Sequence, residues 1–224
     1  MSVFLRGRVA LAHPQVQGGR RGVATTAAVH GLKVLFFGTD EFAARALAGL
    51  EASRFVKNTA IEHIELVCPA QIFKKRGLRE KLFWRAHSEV AAAANGIKVN
   101  HIHDPDMSRW RVPEVSEDYG GGKFDIGVVA SFGRILPSRI IDSFNQGMIN
   151  VHPSLLPKYR GPSPIQTAIL NADEITGVTV QELHPTRVDA GRILAQVPYK
   201  ITPSATRLDL MYQLGYLGGE MAGK

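Results

Sequence analysis

The sequence has little of what several protein classes depend on. Its 224 residues include one cysteine, Cys68, so an intrachain disulfide is excluded and the thiol fits a reducing compartment or an ordinary core position. No apolar run approaches the ~20 residues that a helix needs to cross a bilayer. The Gly-x-Gly-x-x-Gly fingerprint of dinucleotide sites is also missing, and a lone Gly38 after an apolar run indicates only a tight turn.

Acidic residues are absent from the first 39 positions, which hold much of the positive charge. The formal net charge of the chain is +7, and removing the five basic residues of this segment leaves +2 for residues 40–224. The basic excess of the body is therefore weak evidence for nucleic-acid binding. The five residues are Arg6, Arg8, Arg20, Arg21 and Lys33.

Residues 1–30 have the composition of a mitochondrial transit peptide: they contain arginine, lack acid and are rich in Ala, Val, Gly and Thr. The first 13 residues would form a basic amphipathic helix, and residues 20–24 suit a processing region. A secretory signal is disfavoured because a compact apolar core is missing, whereas a disordered basic tail remains an alternative. We therefore expect residues 1–30 to be a disordered targeting segment and the mitochondrial matrix to be the destination.

Apolar runs that read as buried strands recur along the rest of the chain and alternate with helical patterns. This alternation predicts a Rossmann-like, open, mainly parallel α/β sheet with helices on both faces. An antiparallel pair, residues 176–183 and 192–199, is expected to flank the sheet edge. The predicted parallel strands are residues 32–37, 61–67, 97–102, 124–130 and 147–151.

Helices are predicted where apolar residues recur at helical spacing after a suitable cap or proline. Asp40 is the candidate N-cap of the first helix. Residues 70–81 and 103–122 are expected to be loops, the first of them strongly basic. The predicted helices span residues 41–52, 82–95, 137–144 and 164–170, with a last one from about 205 through 212.

One stretch, INVHPSLLPKYRG at residues 149–161, stands out for its chemistry. Asn150 and His152 lie two apart at the end of a strand, so their side chains project to the same side, at the edge that faces the crevice of an open sheet. An imidazole exchanges a proton near neutral pH, and an amide donates to a developing oxyanion. Either residue alone is better explained as the polar end of a strand that runs into a proline-rich turn.

The whole stretch resembles the hallmark of the folate-dependent formyltransferases, Asn-x-His-Pro-Ser-Leu-Leu-Pro followed by Arg-Gly. These enzymes move a formyl group from 10-formyltetrahydrofolate to an amine. The resemblance covers about residues 32–219, and residues 160–169 and 176–180 are most similar to the branch that acts on methionyl-tRNA. The family's catalytic trio then falls on Asn150, His152 and Asp189. By residue type alone, Asp189 in its Asp-Ala-Gly sequence is a turn residue.

The resemblance also implies binding residues. Folate contacts would fall on the segments after two strands, at Val128, Ser131, Gly133, Ser154, Leu155, Leu156 and Pro157. Contacts to tRNA would fall on Lys74, Lys75, Arg76, Lys158 and Arg160. A basic run of this kind is otherwise a solvated face; if it binds phosphates, its affinity falls as salt rises.

No metal site is predicted. The candidate metal-binding side chains are not spaced in a pattern typical of metal ligands. The family that the sequence resembles needs only the formylated folate as co-substrate. The side chains concerned are His101, His103, Asp104 and Asp106.

The activity implied by the resemblance is transfer of the formyl group to the α-amino group of initiator methionyl-tRNA, for organellar translation initiation, by a monomer without a membrane partner. Residues 31–219 would be the catalytic domain, and residues 220–224 the truncated start of a missing C-terminal region. Two rival readings stay open. One is a formyltransferase acting on glycinamide ribonucleotide or an amino-sugar nucleotide, and the other is a folate-binding protein that has lost catalysis.

Overall fold

A computed structural model describes residues 31–56, 60–70, 72–76, 80–104 and 106–224, with backbone only for 72–76 and 80–84. The strands are β1 Leu32–Gly38, β2 Ile61–Pro69, β3 Ile72–Arg76, β4 Glu80–Trp84, β5 Val99–Ile102, β6 Ile126–Ala130, β7 Met148–His152, β8 Ile175–Glu182 and β9 Ile193–Lys200. The helices are α1 Glu41–Ser53, α2 His87–Ala94, α3 Ser138–Ile141, α4 Pro164–Leu170 and α5 Arg207–Ala222, with a 3-10 turn at Glu117–Tyr119.

Seven strands form one sheet in the order β5-β2-β1-β6-β7-β8-β9. The first five are parallel, and β8 and β9 are antiparallel additions beside β7. The chain winds outward from β1 in one direction and, from β6 onward, in the other. The reversal between β1 and β6 is the point where open α/β sheets form their crevice, and the Rossmann-like prediction is confirmed.

The alternation of β1 divides the core into two layers, because successive side chains of a strand point to opposite faces. Val34 and Phe36 belong to a large apolar cluster that includes residues of α1, α2, α4 and α5. Leu35 and Phe37 belong to a second cluster, formed with α3 and the long segment between β5 and β6. All four side chains are buried, so β1 contributes to both layers of the core.

Helix α5 lies unusually close to α1 because glycines face the contact. A Cβ built on Gly219 would stand 2.0 Å from the carbonyl oxygen of Ala46, and one on Gly49 would stand 2.1 Å from that of Tyr216. On another side of α5, a Cβ on Gly218 would meet Val151 of β7 at 2.4 Å. The helix therefore supports both α1 and the strand that carries the hallmark sequence.

The start of α1 was predicted correctly: the Asp40 carboxylate accepts from the Ala43 amide at 3.1 Å. Helix α5 runs ten residues beyond the predicted end at Tyr212, to Ala222. It starts at a reciprocal capping box between Thr206 and Asp209. Three glycines lower the intrinsic helix propensity of α5. Packing against α1 stabilises the helix in spite of them.

The prediction for residues 70–95 was wrong in two respects. Part of the expected loop is strand β3, which pairs antiparallel with β4, and the expected helix from residue 82 begins only at His87. The register pairs Ile72 with Trp84 and Phe73 with Phe83. Aromatic and β-branched residues of this kind favour strands, and here that preference prevails over the helical spacing.

Among the described helices, none combines the length and apolarity required to traverse a bilayer.

Replacing Gly219 by alanine should destabilise the fold, although alanine is the better helix former. The added methyl meets the backbone of α1, which cannot rotate away as a side chain would, so we expect a loss of about 1–3 kcal/mol in the free energy of unfolding. Urea denaturation measures it. The exposed Gln213 of the same helix, changed to alanine, is the control and should be neutral; an unchanged Gly219→Ala midpoint would contradict the close packing.

Candidate active site

A cavity of about 620 Å³ opens at the carboxyl ends of the central strands. Asp40 follows β1, Ser131 follows β6, and His152 ends β7, and all three line it. Asn150 and Asp189 line it as well. The cavity thus lies where the strand order reverses, as the topology requires.

The predicted trio meets in this cavity. The Asn150 amide donates to Asp189 Oδ1 at 3.2 Å, and His152 Nδ1 lies 3.5 Å from Asp189 Oδ2. The His152 and Asp189 side chains retain only 6% and 9% of their exposure. An amide, an imidazole and a carboxylate from two separate parts of the chain therefore face one partly enclosed space.

Asp189 is held by three donors from three segments. Besides Asn150, the Gln181 amide donates to Oδ1 at 3.2 Å and the Gly161 backbone N–H donates to Oδ2 at 2.8 Å. Asp189 itself has a φ of +47°, a conformation that aspartate tolerates better than most residues. Such strain persists only where the surroundings fix it, and these contacts supply the constraint.

Gln181 is a residue that sequence reasoning missed. It is buried, 2% exposed, and stands opposite Asn150 in the β7–β8 register. A buried amide in a strand is itself a signal, since buried polar groups need a specific partner. Here that partner is the third member of the trio.

The Asp-Ala-Gly sequence needs a glycine at its third position, Gly191, for a steric reason. A Cβ on Gly191 would stand 1.7 Å from the carbonyl oxygen of Glu182 in β8. The turn that carries Asp189 can therefore approach the sheet only if this residue has no side chain.

The two ring nitrogens of His152 have different partners. Nε2 lies 2.9 Å from the backbone carbonyl oxygen of Tyr159. A carbonyl oxygen only accepts, so Nε2 carries the hydrogen. In the neutral ring Nδ1 is then the unprotonated nitrogen, and it faces the Asp189 carboxylate. The ring can take up a second proton at Nδ1, between itself and Asp189.

The walls of the cavity combine apolar surface with a fixed polar turn. Ser131 donates to the Asp40 carboxylate at 2.6 Å, and Thr39 donates to the carbonyl of Phe132 at 3.0 Å, joining the ends of β1 and β6. Ile135 and Val188 line the cavity although they are 76% and 61% exposed. Exposed aliphatic side chains beside a polar trio suit a ligand with a large apolar part.

The residues predicted to contact folate divide into two groups. Ser131 and Gly133 line the cavity. The others do not belong to its lining, and their contact with folate stays a prediction: Val128 is in the core, the Ser154 hydroxyl donates to the Lys158 carbonyl at 2.6 Å, and the Leu156 amide donates to Thr179 at 3.1 Å. The five predicted folate residues outside the cavity lining are Val128, Ser154, Leu155, Leu156 and Pro157.

The residues predicted to contact tRNA are also placed differently from one another. Lys158 donates to the Asp173 carboxylate at 2.9 Å, which raises the pKa of the lysine. Arg160 is exposed beside the cavity-lining Gly161. Lys74, Lys75 and Arg76 lie in β3, and their side chains lie outside the described part of the chain.

Away from the cavity, Cys68, Glu89 and His101 place one potential ligand atom each within 4.8 Å of one another. Glu89 is already paired with Arg85 at 2.9 Å. Burial, with the Glu89 charge second, raises the pKa of Cys68 to about 12, which opposes the thiolate that a metal would need. The spacing of these three residues in the sequence did not predict that they would lie together. We assign no metal to this cluster.

The fold and this site define a Rossmann-like α/β domain with an amide–imidazole–carboxylate trio at the switch point of its sheet. The sequence model of the formyl transferase family matches residues 33–221. The chain belongs to the formyl transferase family.

Several relatives are similar to this chain in sequence over most of its length. The mitochondrial methionyl-tRNA formyltransferase of Rattus norvegicus is 40% identical over 190 residues, which cover 84% of this chain and 43% of that protein. The Homo sapiens protein of the same name is 38% identical over 191 residues, with the same coverage. The methionyl-tRNA formyltransferase of a Synechococcus strain is 38% identical over 190 residues, covering 85% of this chain and 55% of the relative. The chain thus spans about half the length of these relatives.

Solved structures support the fold alone, because their sequences are distant. The phosphoribosylglycinamide formyltransferase of Brucella melitensis matches with a TM-score of 0.62 at 20% identity, covering 86% of this chain and 92% of that one. A formyltetrahydrofolate deformylase of Pseudomonas syringae matches with a TM-score of 0.60 at 20% identity, covering 85% and 58%.

Changing Gly191 to alanine should move the turn that carries Asp189 away from β8, because the added methyl meets a strand carbonyl. We expect a loss of about 1–3 kcal/mol in the free energy of unfolding and a longer separation between His152 and Asp189 in a crystal structure. Thr186→Ala in the same loop is the control. A Gly191→Ala structure with the trio unmoved would show that the close approach is not required.

Proposed function

We propose that this chain transfers the formyl group of 10-formyltetrahydrofolate to the α-amino group of initiator methionyl-tRNA. The observation that carries the proposal is the meeting of Asn150, His152 and Asp189 in one cavity. It is supported by the 38–40% identity to methionyl-tRNA formyltransferases across most of the chain.

The chemistry follows from these positions. A neutral acceptor amine attacks the formyl carbon, forming a C–N bond and placing negative charge on the formyl oxygen. Asn150 has a second amide N–H, which its contact with Asp189 does not use, and this N–H would donate to that oxygen. His152, neutral at this stage, takes the proton that the amine loses. Breakdown cleaves the bond from the formyl carbon to folate N10, and the proton lost by the amine returns to N10 by way of His152.

Asp189 supports this sequence by facing His152 Nδ1. Its carboxylate stabilises the imidazolium that forms when Nδ1 takes the proton, and it fixes the orientation of the ring. The reaction joins two bound substrates directly, so holding them in place contributes much of the rate. No step of this scheme uses a metal.

The formylated folate fits the wall formed by the segment after β6. Ser131, Gly133 and the apolar side chain of Ile135 line the cavity from this segment, and Val188 lines it from the turn that carries Asp189. This lining suits an extended aromatic co-substrate. The backbone around Val128 and the corner Ser154–Pro157 would complete the pterin side.

The acceptor and the cellular location are inferred from the relatives. We place the chain in the mitochondrial matrix, with residues 1–30 as targeting segment and 31–219 as catalytic domain; the names of the mitochondrial relatives support the mitochondrion. We infer that Lys74, Lys75, Arg76, Lys158 and Arg160 contact the tRNA backbone, and that the enzyme acts as a monomer.

A second candidate function is formylation of a small amine. The observation that favours it is that the trio meets in a cavity of about 620 Å³, a geometry that does not by itself select a large acceptor. The experiment that separates the candidates compares charged initiator tRNA, glycinamide ribonucleotide and an amino-sugar nucleotide as acceptors. Preference for the tRNA supports the proposal; turnover with a small amine alone supports the second candidate. Folate binding without turnover would indicate a lapsed enzyme.

We expect His152→Ala and Asp189→Asn each to reduce kcat by roughly 100-fold or more, because removing a group that stabilises transition-state charge has effects of this size. Single-turnover formylation measures the loss, and circular dichroism checks the fold. His103→Ala and Asp142→Asn, both exposed and outside the cavity lining, are the matched controls. Near-normal turnover in either trio variant would refute its assigned role.

Ile135→Asp should weaken binding of a non-transferable formylfolate analogue by roughly tenfold, since it replaces apolar wall area with a charge that must be desolvated. Isothermal titration measures the affinity. Leu170→Asp is the matched control: that side chain is 84% exposed and lies outside the cavity lining. Equal affinities in both variants would place the folate elsewhere.

A further inference from the structure

One loop touches two members of the trio through its backbone. The segment between β7 and α4 presents the Tyr159 carbonyl to His152 Nε2 at 2.9 Å, and two residues later it presents the Gly161 N–H to Asp189 Oδ2 at 2.8 Å. The position of this loop therefore sets both the hydrogen on the imidazole and the orientation of the carboxylate.

The loop backbone is held in a conformation that it would not adopt unaided. Tyr159 has a φ of +59°, in the left-handed region that aromatic residues seldom occupy. Such a conformation is retained only when neighbouring contacts fix it.

Those contacts converge on Asp173. The Tyr159 phenol donates to its Oδ2 at 2.8 Å, and Lys158 Nζ donates to the same oxygen at 2.9 Å. Asn171 adds an amide that donates to the phenol oxygen at 2.8 Å. We call Lys158, Tyr159, Asn171 and Asp173 the loop clamp.

The clamp is anchored to helix α4. Asn171 and Asp173 follow its last turn, and the Asp173 amide donates to the carbonyl of Ala168 at 3.0 Å. None of the four clamp residues lines the cavity, whereas Gly161, Pro164 and Ile165, further along the same segment, do. The clamp thus lies behind the site and acts on it through the main chain.

The pairing persists around neutral pH. The contacts with Lys158 and Tyr159 lower the pKa of Asp173, and the contact with Asp173 raises the pKa of Lys158. Asp173 stays ionised until the pH falls through its lowered pKa, and Lys158 stays charged until the pH rises through its raised pKa, so the charged pair is present at neutral pH.

We propose that Tyr159 and Asp173 are positioning residues for the trio: by fixing the left-handed backbone of Tyr159 they hold the hydrogen of His152 on Nε2 and turn the Asp189 carboxylate toward Nδ1. The inference rests on the proposed function for its effect on turnover. Its effect on His152 does not depend on any activity.

The test is Tyr159→Phe, which removes one hydroxyl and leaves the ring and carbonyl. The imidazole nitrogens of His152 are observed by ¹⁵N NMR in the full chain without substrate. In the parent protein we expect the neutral ring to carry its hydrogen on Nε2, and in the variant a mixture of the two tautomers. Tyr216→Phe loses the same atom from an exposed position on α5 and should leave the spectrum unchanged.

Kinetics give the second measurement. We expect Tyr159→Phe to lower kcat about three- to tenfold, as for loss of a hydrogen bond that acts only through position, with both KM values within about twofold of the parent. Asp173→Asn, which also weakens the contact with Lys158, should have a similar or larger effect. The double variant should be no worse than Asp173→Asn alone, since both changes break the contact between Tyr159 and Asp173.

The outcomes separate the two proposals. A shifted tautomer population in a chain that formylates no acceptor supports the clamp and refutes the proposed function. An active enzyme in which neither Tyr159→Phe nor Asp173→Asn alters the His152 spectrum overturns the clamp. Additive losses in the double variant would overturn it as well, and if Tyr159→Phe does not fold, Asp173→Asn alone decides through the same spectrum.

Discussion

The site depends on one carboxylate. Asp189 accepts hydrogen bonds from a strand side chain, from the side chain opposite it on the next strand, and from the backbone of a loop. It also faces the imidazole. Because these groups come from β7, β8 and the segment before α4, one charged group ties three separately placed elements to a single geometry. Hydrogen bonds to a charged group are stronger than neutral ones, so this interaction orients the trio.

The rest of the architecture brings these elements within reach. The strand order reverses between β1 and β6, which opens the crevice, and α5 supports β7 from behind through the contact of Gly218 with Val151. Two members of the trio lie on β7, and the third lies on the turn after β8, which packs against β8 at Gly191. Supports of this kind hold side chains more firmly than free loops do.

Sequence patterns were informative where one physical preference acted alone. The buried runs of β1 and β6 and the N-cap at Asp40 were predicted because apolar patterning and capping agree there. The hairpin at β3 and β4 was missed because residues 82–86 satisfy a helical spacing and a strand preference at once. Gln181 and the loop clamp were missed for another reason: their roles arise from cross-strand register and from backbone groups, which a linear sequence does not display.

The two outer strands of the sheet have a consequence for how large molecules approach it. An unpaired strand with free backbone groups invites another chain to join it. Here β5 has only four residues, and β9 carries Pro198, which has no N–H to offer. Lateral growth into fibres or strand-swapped pairs is thereby discouraged at both flanks of the described sheet.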